Sequence, residues 1–90
     1  MRRLAAVTGA LILAACAGNK VPEQNINPNR HPNLAAAQRF CAEAFDKITA
    51  AQNANEWDMG GHAKRAKDLL VQASDELKQA ALAANAHHSD

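Results

Sequence analysis

The stretch HAKRAKDLLVQASDELKQAALAA, residues 62–84, decides the fold. Ala66, Leu70, Ala73, Leu77, Ala80 and Ala84 recur at spacings that alternate between four and three. That is the period of one face of an α-helix, and neither glycine nor proline interrupts it. Lys64, Asp68, Asp75 and Lys78 fall outside this stripe and point outwards. Leu69 and Ala81 broaden the apolar face, while Val71 and Leu82 fall on the far side. An amphipathic helix of this length needs a partner for its stripe, and the preceding residues supply one.

Residues 34–55 repeat the pattern: Leu34, Ala37, Cys41, Ala44, Ile48 and Ala51 form a stripe widened by Phe45. Arg39, Glu43, Asp46 and Lys47 occupy the opposite side, with Glu43 and Lys47 in the favourable i,i+4 order. Asn33 is the expected N-cap of this helix. Between the two helices stands NEWDMGGHA, in which Gly60 and Gly61 each cost about 1 kcal/mol in a helix interior and so mark a turn. Asp58 is a cap candidate for the second helix, and Trp57 closes the end of the turn. The expected fold is all-α, an antiparallel two-helix hairpin over residues 34–84.

Such a hairpin is slender. Phe40, Phe45 and Trp57 are the only aromatics, tyrosine is absent, and alanine fills most apolar positions. Small scaffolds with so little core commonly self-associate. The expected seam for a second copy or an envelope protein partner is Leu34, Cys41, Phe45, Ile48, Leu70 and Leu77. Cys41 lies within that stripe, as a buried thiol or a link between chains.

Ahead of the hairpin, AGNKVPEQNINPNRHPN (residues 17–33) holds all three prolines and is rich in asparagine. Pro22, Pro28 and Pro32 remove backbone donors and disfavour helix. Residues 16–33 therefore read as a flexible tether, able to span about 55–60 Å when fully stretched. Residues 85–90, NAHHSD, read as a frayed tail.

The first sixteen residues fix the expected location. Arg2 and Arg3 precede an apolar run from Leu4 to Ala15, too short for a bilayer core, which needs about 20 residues. It has the length of the apolar region of a secretory signal. Leu13, Ala14, Ala15 and Cys16 then stand in the order of a lipobox, and residues 1–16 resemble a bacterial lipoprotein precursor. With the tether and hairpin, the chain resembles small, uncharacterised, alanine-rich helical envelope lipoproteins.

The resemblance implies that residues 1–15 are a signal peptide cut before Cys16. It also implies a diacylglyceryl group on the Cys16 thiol and, in Gram-negative bacteria, an acylated new amino terminus. It places the chain in the bacterial cell envelope. Ala17, where an aspartate would favour inner-membrane retention, points to the outer membrane, facing the periplasm.

Net charge is +1 for the whole chain. It becomes −1 from Cys16 onwards, where eight basic residues face nine acidic ones. No basic stripe suggests nucleic acid. Catalysis needs reactive groups gathered in a sheltered pocket, and neither Ser74 nor Ser89 stands in a triad-like context, so no enzyme and no cofactor beyond the covalent lipid is expected. The expected function is a small helical structural or interaction module on a membrane anchor. The alternative is a periplasmic copper or zinc lipoprotein. His62 and Met59 fall on the core-facing side when the second stripe is extended backwards, and His, Met and Cys41 are donors that copper accepts. Against it, no pair of these residues has a recognised ligand spacing.

Overall fold

The computed structural model describes residues 20–55 and 59–88. Its elements are helix α1 (Pro32–Asn55), a short 3-10 turn (Met59–Gly61) and helix α2 (His62–His88). Among the described residues there are no strands, so the all-α expectation holds at that level. At 24 and 27 residues, the helices are about 36 and 40 Å long. Residues 1–19 lie outside the described residues, and with them the expected signal peptide and Cys16, as do Trp57 and Asp58.

The entry to α1 is built by a turn that proline favours. Asn27 accepts from the backbone N–H of Arg30 at 3.2 Å and of His31 at 2.9 Å, and its side chain accepts from Asn29 N at 2.8 Å. Pro28 sits at the second turn position, where its fixed φ fits. The helix begins at Pro32 rather than after Asn33. The His31 carbonyl accepts the Ala35 N–H at 2.9 Å, which makes His31 the N-cap residue. Pro32 occupies the first helical position, where a missing N–H costs nothing. Asn33 lies inside the first turn, which corrects its expected role as cap.

The helices run antiparallel. Gln38 reaches Ser74, Gln52 accepts from Lys67 Nζ at 2.9 Å, and His31 meets Asn85, so the start of α1 lies beside the end of α2. Lys67 Nζ also stands 4.7 Å from the Phe45 ring centroid. Helix α2 continues to His88, and Asn85 accepts from His31 Nε2 at 2.7 Å. The expected frayed tail is therefore helical over 85–88.

Residues 20–31 depart most from expectation. They form an extended strap laid along the hairpin, not a free tether. Pro22 and Ile26 are buried. Glu23 meets Ser74, Asn25 meets Lys78 and His31 meets Asn85, so the strap runs parallel to α2 before the chain turns back into α1. Burying Ile26 contributes about 1.5–3 kcal/mol. The prolines do prevent helix here, but an extended backbone also offers carbonyls and N–H groups to a neighbour.

The strap rotates the buried face of α2 away from the expected seam. Val71, Ser74 and Ala81 are buried, while Ala73, Ala80 and Leu69 are exposed. Ala66, Leu70, Leu77 and Ala84 are half-buried. Val71, expected on the far side, lies under the strap, whereas Leu82 is exposed as expected. The cause is that α2 buries two adjoining faces, one against α1 and one beneath the strap. In α1, Leu34, Cys41, Phe45 and Ile48 are half-buried and Phe40 is exposed. Glu43 pairs with Arg39 one turn back, at 3.9 Å, instead of the expected Lys47. Both partners are exposed, so this pair contributes well under 1 kcal/mol.

The described part of the turn, Met59–Gly61, is left-handed: Met59 has φ 51, Gly60 φ 68 and Gly61 φ 78. Glycine adopts this conformation without a Cβ penalty. A Cβ on Gly60 would also stand 3.3 Å from His62 Cδ2, whereas one on Gly61 would meet nothing within 4 Å. Gly60→Ala and Gly61→Ala are each expected to destabilise the chain by about 1–2 kcal/mol. Gly60→Ala should cost more. Urea denaturation of the two variants checks this, and equal midpoints would remove the His62 contact as a factor.

Candidate functional site

The most built polar feature is the seat of the strap. Gln38 lies on α1 between Leu34 and Phe45, on the side that faces both α2 and the strap, and is only 1 % exposed. Its Oε1 accepts the Asn25 backbone N–H at 2.9 Å. Its Nε2 donates to Asn25 Oδ1 at 3.0 Å and to the Ser74 carbonyl at 2.9 Å. One amide thus ties three segments together, with both N–H donors used. Ser74 is fully buried, and its hydroxyl donates to the Glu23 carbonyl. Lys78 Nζ donates to the Asn25 carbonyl at 2.8 Å on the exposed rim.

This arrangement satisfies backbone groups that an extended segment would otherwise hold out to water or bury unpaired, a cost of about 1–3 kcal/mol for each buried group left alone. Its chemistry is that of a latch. It holds residues 23–25 at one register on the hairpin and contains no acid–base or nucleophilic pair.

Beside the strap's first residues lies an open cleft of about 180 Å³, lined by Lys20, Asp68, Val71, Gln72 and Asp75. Asp68 is bonded to Lys64 Nζ at 2.8 Å. Asp68, Asp75 and Lys78, all expected to point outwards, therefore border the strap and its cleft.

The metal candidates do not converge. His62 is exposed rather than core-facing, and Arg65 Nη1 donates to its Nδ1 at 3.2 Å, placing a guanidinium charge beside one of its two possible metal-binding nitrogens. Met59 is half-buried in the turn. Cys41, a free and half-buried thiol, sits about four helical turns from the end of α1. Among the described residues, no three His, Cys, Asp or Glu side chains gather as a metal site.

The six seam residues Leu34, Cys41, Phe45, Ile48, Leu70 and Leu77 are all half-buried, on the facing sides of the two helices. They serve first to hold the hairpin together. Gln38 and Ser74, which matter most to the strap, were missed because the stripes were counted in apolar residues alone. A signal was present: a glutamine flanked at i−4, i+3 and i+7 by Leu34, Cys41 and Phe45, and a serine flanked by Leu70, Leu77 and Ala81. A polar side chain amid an apolar face implies a buried partner.

Among the described residues, no helix is long and apolar enough to cross a membrane. No family model matches the chain, and neither a curated protein nor a solved structure is similar to it.

Proposed function

We propose that the chain is a lipid-anchored cell-envelope protein whose folded part, a strapped helical hairpin, acts as an interaction module. The observation that carries this reading is the order Arg2-Arg3, twelve apolar residues and Leu13-Ala14-Ala15-Cys16. A thioether on Cys16 carrying two acyl chains would hold firmly, since each buried methylene contributes about 0.8 kcal/mol and a single chain exchanges readily. Ala17 favours the outer membrane, facing the periplasm.

The docked strap changes what that anchor does. Only Ala17, Gly18 and Asn19 separate Cys16 from Lys20. Four residue steps reach at most about 14 Å, against the 55–60 Å of a free tether. The hairpin is carried close to the headgroups, presenting its helical faces at a fixed height.

Intact-mass measurement of the chain purified from bacterial membranes tests the reading. The expected species lacks residues 1–15 and carries acyl chains on Cys16. A chain beginning at Met1, or at residue 16 without lipid, would overturn it.

A further inference from the structure

The strap limits which end of the hairpin a lipid on Cys16 can bring to a membrane. Glu23 is held at Ser74 and Asn25 at Lys78, so the strap's earlier residues lead back along α2 towards the turn. Lys20 stands three residues before Glu23, at most about 10 Å nearer the turn. It lines the cleft with Asp68 and Val71. Lys20 therefore lies level with about residues 67–71 of α2. From there His62, where α2 starts, is about 8–14 Å away along the helix. His88, where it finishes, is about 25–32 Å away.

Cys16 is four residue steps from Lys20 and lies within about 14 Å of it. That reach extends to the level of the turn and stops well short of the open end, where α1 starts and α2 finishes. We infer that the turn end is a docking surface for lipid headgroups. The surface consists of the last turn of α1, Met59–Gly61 and the first turns of α2. The inference rests on the lipid-anchor reading and adds an orientation to it: the hairpin stands with its turn on the bilayer and its open end outermost.

Charge favours the same end. Phe45 is level with Lys67, so residues 46–68 and Lys20 make up the half nearer the turn. There five basic residues face four acidic ones, a net charge of +1. In residues 21–45 and 69–90, three basic residues face five acidic ones, a net charge of −2. Lys64, Arg65 and Lys67 all stand within the first two turns of α2. Long cationic side chains extend along the protein surface to carry their charge to phosphates. A bilayer containing anionic lipid attracts the turn half and repels the open half. Lying flat would bring the acidic residues of the open half down as well.

Fluorescence quenching of the lipidated full chain in vesicles tests the inference. The vesicles contain phosphatidylethanolamine, phosphatidylglycerol and a lipid with a nitroxide on its headgroup. In a Cys41→Ser background, a dye is placed at exposed positions: Asn53→Cys near the turn, Ala86→Cys at the open end. Gln24→Cys and Ala80→Cys, also exposed, report the strap flank and the opposite flank. Quenching at position 53 should exceed that at 86 at least threefold and should exceed that at both flanks. Adding Gln38→Leu should bring positions 53 and 86 close together, because a freed strap no longer selects an end.

Equal quenching at 53 and 86 in the parent would overturn the orientation. So would quenching at 24 or 80 that matches position 53, the result for a hairpin lying on that flank. A threefold difference that survives Gln38→Leu would overturn the strap as its cause. The mass of the same sample reads lipidation. A chain without acyl groups overturns the anchor reading, whereas a lipidated chain with even quenching overturns the docking surface alone.

Discussion

Gln38→Leu is expected to release the strap while leaving both helices in place. Leucine matches the volume of the glutamine closely, so the change removes hydrogen bonds without opening a large cavity. The Asn25 N–H and Asn25 Oδ1 lose their partner, and the Ser74 carbonyl loses its additional donor. Asn25 is exposed, so its freed groups regain water, and each lost bond costs about 0.5–1.5 kcal/mol; with some return from leucine's apolar surface, the net loss is about 1–3 kcal/mol. For a folded unit of this size that lowers Tm by about 5–20 °C. Hydrogen exchange would locate the effect: the Asn25 amide should lose protection before the amides in the middle of α2. If burial of Pro22 and Ile26 alone held the strap, the leucine variant would match the parent in both readouts. Combining it with Asn25→Ala separates the cases further, since residues sharing one amide network should show strong non-additivity.

Why this latch was harder to see than the helices follows from the residues themselves. The helices announce themselves through period and punctuation: alternating four and three spacing from Ala66 to Ala84, and two glycines with positive φ between the elements. Alanine, however, is nearly neutral about where it points. With alanine at 66, 73, 80, 81, 83 and 84, more than half the circumference of α2 could have been buried. Val71 and Ala73 therefore exchanged places between expectation and structure. The direction was set by Ser74 and Gln38, whose polar groups can be buried only where partners wait, and those partners are backbone atoms of the strap. No residue-by-residue pattern reports a backbone carbonyl. The strap's prolines correctly disfavoured helix, yet absence of helix is not freedom of movement. The asparagines instead supply the turn at 27–30 and the amide that faces Gln38. The proposed anchor, by contrast, rests on the sequence alone, because residues 1–19 lie outside the described part of the chain.

Cys16→Ser is expected to abolish stable attachment through the lipid, and its consequences separate the anchor from the strap. A serine hydroxyl is a far weaker nucleophile than a thiolate, so the diacylglyceryl transfer would fail and the cleavage that follows it would fail too. The variant should accumulate with residues 1–15 uncut and without acyl chains, whereas Cys41→Ser should remain lipidated and behave as the parent. Loss of two acyl chains removes well over the roughly 10⁴ M⁻¹ association that even one provides. The retained twelve-residue apolar run is too short to replace them as a spanning anchor. Washing membranes at high pH should therefore release the Cys16→Ser chain and retain the parent. Energy transfer from a dye on the hairpin to a labelled membrane adds the second dimension. In the parent, the docked strap holds Lys20 within about 14 Å of the anchor and transfer is efficient. In Gln38→Leu the anchor persists but the freed strap restores a reach of about 55 Å, so transfer falls while membrane retention stays complete. Parent-level transfer in Gln38→Leu would show that the strap does not set the height of the hairpin, and full retention of Cys16→Ser after washing would show that another part of the chain holds the membrane.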